Sequence, residues 1–192
     1  MRIVFLGTPD FAAYSLESLI KGGHHIVAVI TSADKKAGRG QRVQQSAVKK
    51  IAQEHQIPCL QPKNLKDPHF IEELKSYQAE LQVVVAFRML PEVVWSMPPK
   101  GTMNLHASLL PFYRGAAPIN WAIINGEKIT GVSTFLLKHE IDTGEIIQRK
   151  EVKIDPRETA GSLHDKLMQV GAKILVDSVE QLANDQISST PQ

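Results

Sequence analysis

Residues 1–31, "MRIVFLGTPDFAAYSLESLIKGGHHIVAVIT", decide the fold class. Residues 3–6 and 26–31 are short apolar runs of the kind that form buried parallel strands. Between them, "GTPD" leads into a helix pattern over residues 10–21, which two glycines at 22 and 23 close. A strand, a helix and a second strand in this order predict a β-α-β unit.

The rest of the chain continues the alternation and then changes character. The patterns predict further helices over 46–55, 67–77, 116–124 and 159–184, and strands over 57–60, 81–87, 102–107, 130–139 and 146–154. The last two strands form a β-β pair. We therefore predict an α/β fold, a Rossmann-like open, mostly parallel sheet with helices on both faces and a β-β extension near the C-terminus.

Composition narrows the class of protein. Of the 192 residues, 43% are hydrophobic and 22% are charged, which is typical of a soluble globular protein. No apolar run approaches the roughly 20 residues of a membrane span, so no membrane association is expected. The single cysteine, Cys59, excludes an internal disulfide and a zinc site built from cysteines, and it favours a cytoplasmic protein.

Two polar residues interrupt the apolar strand at 102–107. Asn104 and His106 are two positions apart, so their side chains point to the same face. One interpretation is a core histidine bonded to a backbone carbonyl. The other is a functional pair, since the carboxyl ends of parallel strands are where α/β sheets bind ligands. Asp142, in "EIDTG", is expected on a turn at the same edge of the sheet, where it would join them.

Other kinds of site lack the necessary residues. "GTPDFA" at 7–12 has neither the G-x-G-x-x-G of dinucleotide-binding turns nor the lysine of a P-loop. The seven histidines show no H-x-H or H-E-x-x-H spacing, so no metal site is predicted. No serine or cysteine nucleophile stands out beside Asn104 and His106. Such a set suits direct transfer, in which the substrate brings its own attacking group.

A basic segment occupies residues 34–50, "DKKAGRGQRVQQSAVKK". Its early part carries four cations around two glycines, namely Lys35, Lys36, Arg39 and Arg42. A solvated polar loop is one interpretation. The other is a loop that binds a phosphate-rich partner, because phosphate contacts dominate affinity for nucleic acids.

The sequence resembles the folate-dependent formyltransferases over nearly its whole length. The resemblance rests on "NLHASLLPFYRGAAPINWAI" at 104–123, "HEIDTG" at 139–144, "GTPDFA", and "AGRG" with "SAVKKIA" between 37 and 52. The Asn-x-His…Asp set is common to the formyltransferase fold. The "AGRG…SAVK" segment and "YRGAAPI" narrow the match to members that act on a tRNA.

The resemblance implies roles for named residues. Asn104, His106 and Asp142 match the catalytic trio, and a second group is expected to contact the folate: Ser108, Leu109, Leu110, Pro111, Phe87 and Met89. The basic segment matches an insertion that enters the acceptor end of the tRNA, with Arg39 as its key arginine. One segment departs from the family pattern, since "AFRMLP" at 86–91 lacks a glycine and is one residue shorter.

The implied activity is transfer of the formyl group of 10-formyltetrahydrofolate to the amino group of methionyl-initiator tRNA, in translation initiation. The amine would attack directly and give a tetrahedral intermediate, with Asn104 and a protonated His106 donating to its oxygen. Asp142 would orient His106 and pair with its charge. A metal is not required.

The resemblance also implies a domain arrangement. Residues 1–184 would form the catalytic domain, and residues 185–192 would begin a linker to a C-terminal β-barrel that binds tRNA. We expect a monomer. Two alternatives stay open: a formyltransferase acting on glycinamide ribonucleotide or a sugar nucleotide, and a non-catalytic folate-binding module.

Overall fold

The computed structural model describes residues 1–37, 42–187 and 189–192. The chain divides into two compact units, Met1–Thr102 and Met103–Gln192. Each unit has its own sheet strands and helices. Of the described helices, none is long and apolar enough to cross a membrane.

The first unit is built on parallel strands. Its elements in chain order are β1 (Arg2–Gly7), α1 (Asp10–Lys21), β2 (His25–Ile30), β3 (Lys35–Ala37), β4 (Arg42–Gln44), α2 (Ala47–Glu54), β5 (Cys59–Leu60), α3 (Pro68–Ser76), β6 (Leu81–Val85) and α4 (Glu92–Trp95). Four strands pair in the order β5-β2-β1-β6, all parallel. The centre of β1 is fully buried from Ile3 to Leu6, as its continuous apolar run predicted.

The second unit is a meander covered by a long helix. It contains β7 (Thr102–His106), which begins at the boundary, then α5 (Pro118–Ile124), β8 (Ile129–Leu136), β9 (Ile146–Lys153) and α6 (Ala160–Ala183). The strands pair antiparallel, β7 with β8 and β8 with β9. Helix α6 packs its apolar face on β8 and β9, and Leu163, Leu167, Leu175 and Val179 are fully buried there. The predicted α/β class, with a parallel sheet and a β-β extension, is confirmed.

Three of the helices have side-chain caps at their N-termini. The Ser46 hydroxyl accepts from the Lys49 N–H at 3.0 Å, which confirms the N-cap of α2 expected from the sequence. Asp67 accepts from two N–H groups at the start of α3. Thr159 and Ser162 form a reciprocal capping box at α6.

Several local features differ from the sequence prediction, and three of them bear on the site and the basic segment. Strand β6 ends at Val85 rather than at residue 87, because Ala86 turns the chain with a φ of +46°. The short helix α4 was not predicted. The polar segment after β2 contains a hairpin, β3 paired antiparallel with β4. Val43 in this hairpin is 63% exposed, and the strand sequences Lys-Lys-Ala and Arg-Val-Gln are too short to show a pattern that predicts a strand.

An ion cluster before α6 makes stability depend on pH. The Lys166 ammonium contacts Asp155 at 2.6 Å and also contacts Glu158. The hydrogen bond from Lys166, helped by Ser162, lowers the pKa of Glu158 to about 2. A carboxyl whose folded-state pKa is depressed stabilises the fold above its unfolded pKa, and this stabilisation is lost as pH falls towards the folded value. Glu158→Gln should therefore lower the free energy of unfolding at pH 6, and its deficit should narrow from about pH 5 towards pH 2.

Urea denaturation at several pH values measures this effect. Glu72→Gln is the matched control, because the Glu72 side chain is 79% exposed and lies 4.0 Å from Lys75. Its effect should stay within about 0.5 kcal/mol at every pH. A Glu158→Gln deficit that is equal at pH 6 and pH 3 would contradict the pairing.

Candidate functional site

Asn104 and His106 lie on the same face of β7 in the second unit. Asn104 is opposite Phe135 on β8, and His106 is opposite Ser133. Residues two apart on a strand are about 6.6 Å apart along it, so both side chains can reach one small group. His106 is 8% exposed, whereas Asn104 is half-buried. The face that carries them is accessible at Asn104 and closed around the imidazole.

The two ring nitrogens of His106 have different surroundings. Nε2 lies 2.8 Å from the backbone oxygen of Tyr113. A carbonyl oxygen only accepts hydrogen bonds, so Nε2 carries a proton. Nδ1 faces the Asp142 carboxylate at 3.8 Å from Oδ2. One nitrogen therefore makes the backbone hydrogen bond of a core histidine, and the other faces an acid, while a functional role for the pair stays a prediction.

Asp142 meets His106 as expected, but the strand before it ends beside the start of β7 and not beside its end. Strands β7 and β8 are antiparallel, with Met103 opposite Leu136, so the carboxyl end of β8 lies beside the start of β7. Asp142 nevertheless lies in a turn whose carboxylate meets His106, the last residue of β7, and Gly115 in the loop after it. This aspartate comes from the long connection between β8 and β9, where its backbone has a φ of +53°. Aspartate is one of the residue types that tolerate this left-handed conformation.

A second contact fixes the Asp142 carboxylate. Its Oδ2 accepts from the Gly115 N–H at 2.8 Å, and the side chain is only 11% exposed. The acid therefore has one fixed donor and one face turned to His106 Nδ1. In this position it can stabilise an imidazolium more strongly than an acid in bulk water could.

The segment 107–117, which we call the β7–α5 loop, holds both partners. It supplies the Tyr113 oxygen to His106 and the Gly115 N–H to Asp142. Tyr113 and Ala117 both have a φ of +56°, a conformation that costs a residue other than glycine about 1–3 kcal/mol. Gly115 adopts a φ of +85° without that cost. The loop is thus held in an unfavourable conformation that serves the His-Asp pair.

The residues expected to contact folate differ in how exposed their side chains are, and two of them are buried. Ser108 and Leu110 are fully buried, and the Ser108 hydroxyl donates to the Phe112 oxygen at 2.6 Å. The backbone of Leu110 is also used within the protein, since its N–H donates to Ser133 Oγ and its oxygen accepts from Arg149. These two residues support the loop from inside.

The remaining expected folate contacts are more accessible. Leu109 is half-buried and Pro111 is exposed, so within 108–111 these two side chains are available to a ligand. In the first unit, Phe87 is half-buried and Met89 is 74% exposed. Arg88 stacks over the Phe87 ring at 5.7 Å from its centroid. Their contact with folate stays a prediction.

Asn104 has a feature that a structural asparagine would lack. Within the described residues, its side-chain amide has no hydrogen-bond partner. A half-buried amide without a partner is ready to donate to a ligand oxygen. Beside it, His106 can hold or release a proton at Nδ1. Together these groups can stabilise an oxyanion and move a proton, which are the two requirements of acyl transfer.

The basic segment forms the β3–β4 hairpin in the first unit. Lys35 and Lys36 lie on β3 and Arg42 lies on β4, while Arg39 falls in 38–41, outside the described residues. Lys35 is exposed. The hairpin places cations on both of its strands.

The base of the hairpin is tied down by an ion pair. Lys49 Nζ lies 2.7 Å from Asp34 Oδ2 and donates to Gln61, which in turn donates to the other Asp34 oxygen. The hydrogen bond from Lys49, followed by that from Gln61, lowers the pKa of Asp34. The single acid of the basic segment is therefore bonded to Lys49 and Gln61.

The structure also shows partners that sequence reasoning missed. The Tyr113 oxygen and the Gly115 N–H are backbone groups, whose positions no residue pattern states directly. The glycine inside "YRGAAP" was the available signal, because a turn with positive φ favours glycine. Across the described part of the chain, no group of three or more His, Cys, Asp or Glu side chains is arranged to hold a metal.

Comparison with protein families finds one match that spans most of the chain. The model of a family described as Formyl transferase matches residues 1–179. Among curated proteins, the methionyl-tRNA formyltransferase of Bacteroides fragilis is 55% identical over 192 residues. That alignment covers 100% of this chain and 59% of the relative, so the chain spans about three-fifths of the relative's length.

Solved structures show the same fold. Glycinamide ribonucleotide transformylase 1 from Symbiobacterium toebii superposes with a TM-score of 0.82 at 18% identity, covering 96% of this chain and 88% of its own. A sugar 3N-formyl transferase, WlaRD, solved in the presence of dTDP and 5-N-formyl-THF, has a TM-score of 0.75 at 22% identity. It covers 100% of this chain and 66% of its own. These similarities confirm the predicted formyltransferase fold.

Proposed function

Because this chain belongs to the formyl transferase family, we propose that it moves a formyl group from 10-formyltetrahydrofolate to the amino group of methionyl-initiator tRNA. The observation that carries the proposal is the pairing of His106 Nδ1 with Asp142 beside the unpartnered Asn104 amide. The family supplies the transfer chemistry. The arrangement of these three side chains is what such a transfer needs.

The acceptor is proposed from two observations. The Bacteroides fragilis relative, 55% identical over the whole chain, is named a methionyl-tRNA formyltransferase. The β3–β4 hairpin carries Lys35, Lys36 and Arg42, and its only acid is paired at its base. Cationic residues on a hairpin suit the phosphates of a nucleic acid. We assign the hairpin, with Arg39 between its strands, to the acceptor end of the tRNA.

The residues present suit a formyl donor. 10-Formyltetrahydrofolate supplies an electrophilic formyl carbon and a nitrogen leaving group. The Asn104 amide donates to the formyl oxygen, and this donation strengthens as the oxygen gains charge. One such donor contributes about 3–4 kcal/mol to transition-state stabilisation in oxyanion holes. Of the residues assigned to the folate, Leu109 and Pro111 are the accessible ones in the β7–α5 loop.

His106 handles the proton. Because Nε2 donates to the Tyr113 oxygen, Nδ1 is the ring atom that exchanges a proton with the reacting groups. The bond that forms joins the methionyl nitrogen to the formyl carbon, and the bond that breaks joins that carbon to the folate nitrogen. The amine gives up a proton and the folate nitrogen gains one. Asp142 stabilises the imidazolium that carries this proton between them.

The test is a panel of acceptors given to the whole protein with 10-formyltetrahydrofolate. We expect formylation of methionyl-initiator tRNA, and a kcat/KM at least a hundredfold lower for glycinamide ribonucleotide and for an amino sugar nucleotide. Methionyl-tRNA with its amine acetylated is the matched control and should remain unformylated. Preference for one of the small acceptors would replace the proposed substrate. Calorimetric folate binding with no transfer to any acceptor would indicate a non-catalytic module.

Three further expectations stay predictions. Residues 185–192 are proposed as the start of a linker after a catalytic domain of residues 1–184, and the shorter span relative to the Bacteroides fragilis protein supports this proposal. In the structure, Thr190 pairs with Ile146 of β9, and Gln192 contacts Arg114 and Gly144. The monomeric state and the cytoplasmic location are likewise proposals.

A further inference from the structure

The side chain of Tyr113 is fixed at its outer end. Its hydroxyl donates to Glu127 Oε1 at 2.5 Å and accepts from Asn125 Nδ2 at 3.0 Å. The hydrogen bond with Glu127 raises the pKa of Tyr113, so the phenol stays protonated and remains a donor. Neither contact belongs to the transfer chemistry itself.

The groups that hold the hydroxyl are themselves well anchored. Asn125 is the C-cap of α5, and its N–H donates to the Trp121 oxygen. The Glu127 N–H donates to the oxygen of Ala122, a residue that is fully buried. The end of α5 therefore provides a stable frame for the tyrosine hydroxyl.

The backbone of the same residue holds the catalytic imidazole. The Tyr113 oxygen accepts from His106 Nε2, while its own φ of +56° is unfavourable for a tyrosine. A backbone in this conformation persists only where neighbouring contacts enforce it. The hydrogen bonds of the hydroxyl with Glu127 and Asn125 are side-chain contacts at Tyr113 that can do so. Without them the peptide could rotate, and the carbonyl would leave Nε2.

We propose that Tyr113 is a positioning residue whose hydroxyl, held by Glu127 and Asn125, keeps its carbonyl on His106 Nε2 and so reserves Nδ1 for the proton transfer. This role rests on the proposed formyl transfer. The tautomer of His106 is the property that Tyr113 controls. If Nε2 lost its acceptor, the proton of the neutral ring could move to Nδ1, and the ring could no longer take a proton from the amine at that atom.

The main test is Tyr113→Phe in the whole protein, which removes the hydroxyl and keeps the ring. We expect kcat for formylation to fall about tenfold, with KM values for folate and tRNA changed less than twofold. Nitrogen-15 NMR of histidine-labelled protein should show His106 protonated only at Nε2 in the unmodified protein and a mixture of tautomers in the variant. Tyr77→Phe is the matched control, because the Tyr77 hydroxyl has no hydrogen-bond partner among the described residues.

Substitutions of Glu127 distinguish a loss of the contact that positions Tyr113 from general damage to the fold. Glu127→Gln retains an acceptor for the hydroxyl and should keep kcat within about twofold. Glu127→Leu removes the acceptor and should match Tyr113→Phe in both kcat and tautomer. A tenfold loss of kcat in Tyr113→Phe with His106 still protonated only at Nε2 would overturn the proposal. A Tyr113→Phe variant with unchanged kcat and an unchanged His106 tautomer would also overturn the proposal.

The two readouts also keep this inference separate from the proposed function. The tautomer is measured without any substrate. An unmodified protein that fails to formylate methionyl-tRNA would refute the proposed function. A tautomer that still follows the Tyr113 hydroxyl in that protein would support the positioning role at this site.

Discussion

Replacing His106 with alanine should lower kcat for formyl transfer about a thousandfold, with KM changed little. The imidazole is the group that can take the proton at Nδ1, and proton transfer by a positioned side chain contributes about 10²–10⁴-fold. Its loss also leaves Asp142 without the cation that it would stabilise. Single-turnover formylation of methionyl-initiator tRNA by the whole protein measures the chemical step directly.

A second variant guards against a folding defect, because His106 is 8% exposed and alanine would leave a gap. His106→Gln can still donate to the Tyr113 oxygen, but its amide cannot carry a transferable proton. It should lose about as much activity as alanine and should melt close to the unmodified protein. His69→Ala, at an exposed histidine near the start of α3, is the matched control and should keep full activity. Turnover within threefold of normal in His106→Gln would exclude His106 as the proton carrier.

The sequence was sufficient for the elements that a short stretch of residues indicates directly. Helix α1 spans residues 10–21 as predicted, and the Ser46 cap is where the pattern indicated. The continuous apolar run of β1 predicted a strand buried on both faces, and it is one. In each of these cases, side-chain type and spacing within a short segment indicate the structure.

The parts that were missed depend on contacts between distant residues or on backbone conformation. Asp142 was correctly expected beside His106. The path of the chain to Asp142 depends on the antiparallel pairing of β8 with β7, and the residues of neither strand indicate its direction. Strand β6 ends where Ala86 adopts a positive φ, and alanine is not a residue type from which a positive φ is expected. The acceptor for His106 Nε2 is a backbone oxygen, and every residue has one. Residue identity predicted which side chains meet, and the fold determined how they meet.

Replacing Asp142 with asparagine should lower kcat about a hundredfold while preserving the structure. Asparagine keeps an oxygen that can accept from the Gly115 N–H, so the β7–α5 loop stays in place. That oxygen is also the atom that faces His106 Nδ1, but in a neutral amide it carries no full negative charge and stabilises a protonated ring less than the carboxylate does. The loss should therefore appear in the chemical step and not in the binding of either substrate. Asp177→Asn, at an exposed position on α6, is the matched control.

Combining the two substitutions tests whether Asp142 acts through His106. Groups that work as one unit show losses that do not add, because the second substitution removes nothing that the first has left. The double variant His106→Gln with Asp142→Asn should therefore be no slower than His106→Gln alone, within about threefold. Fully additive losses, near 10⁵-fold when the two separate effects are multiplied, would mean that Asp142 acts on the substrate directly. The proton would then leave the amine through the carboxylate, and His106 would serve mainly as a donor to the oxyanion.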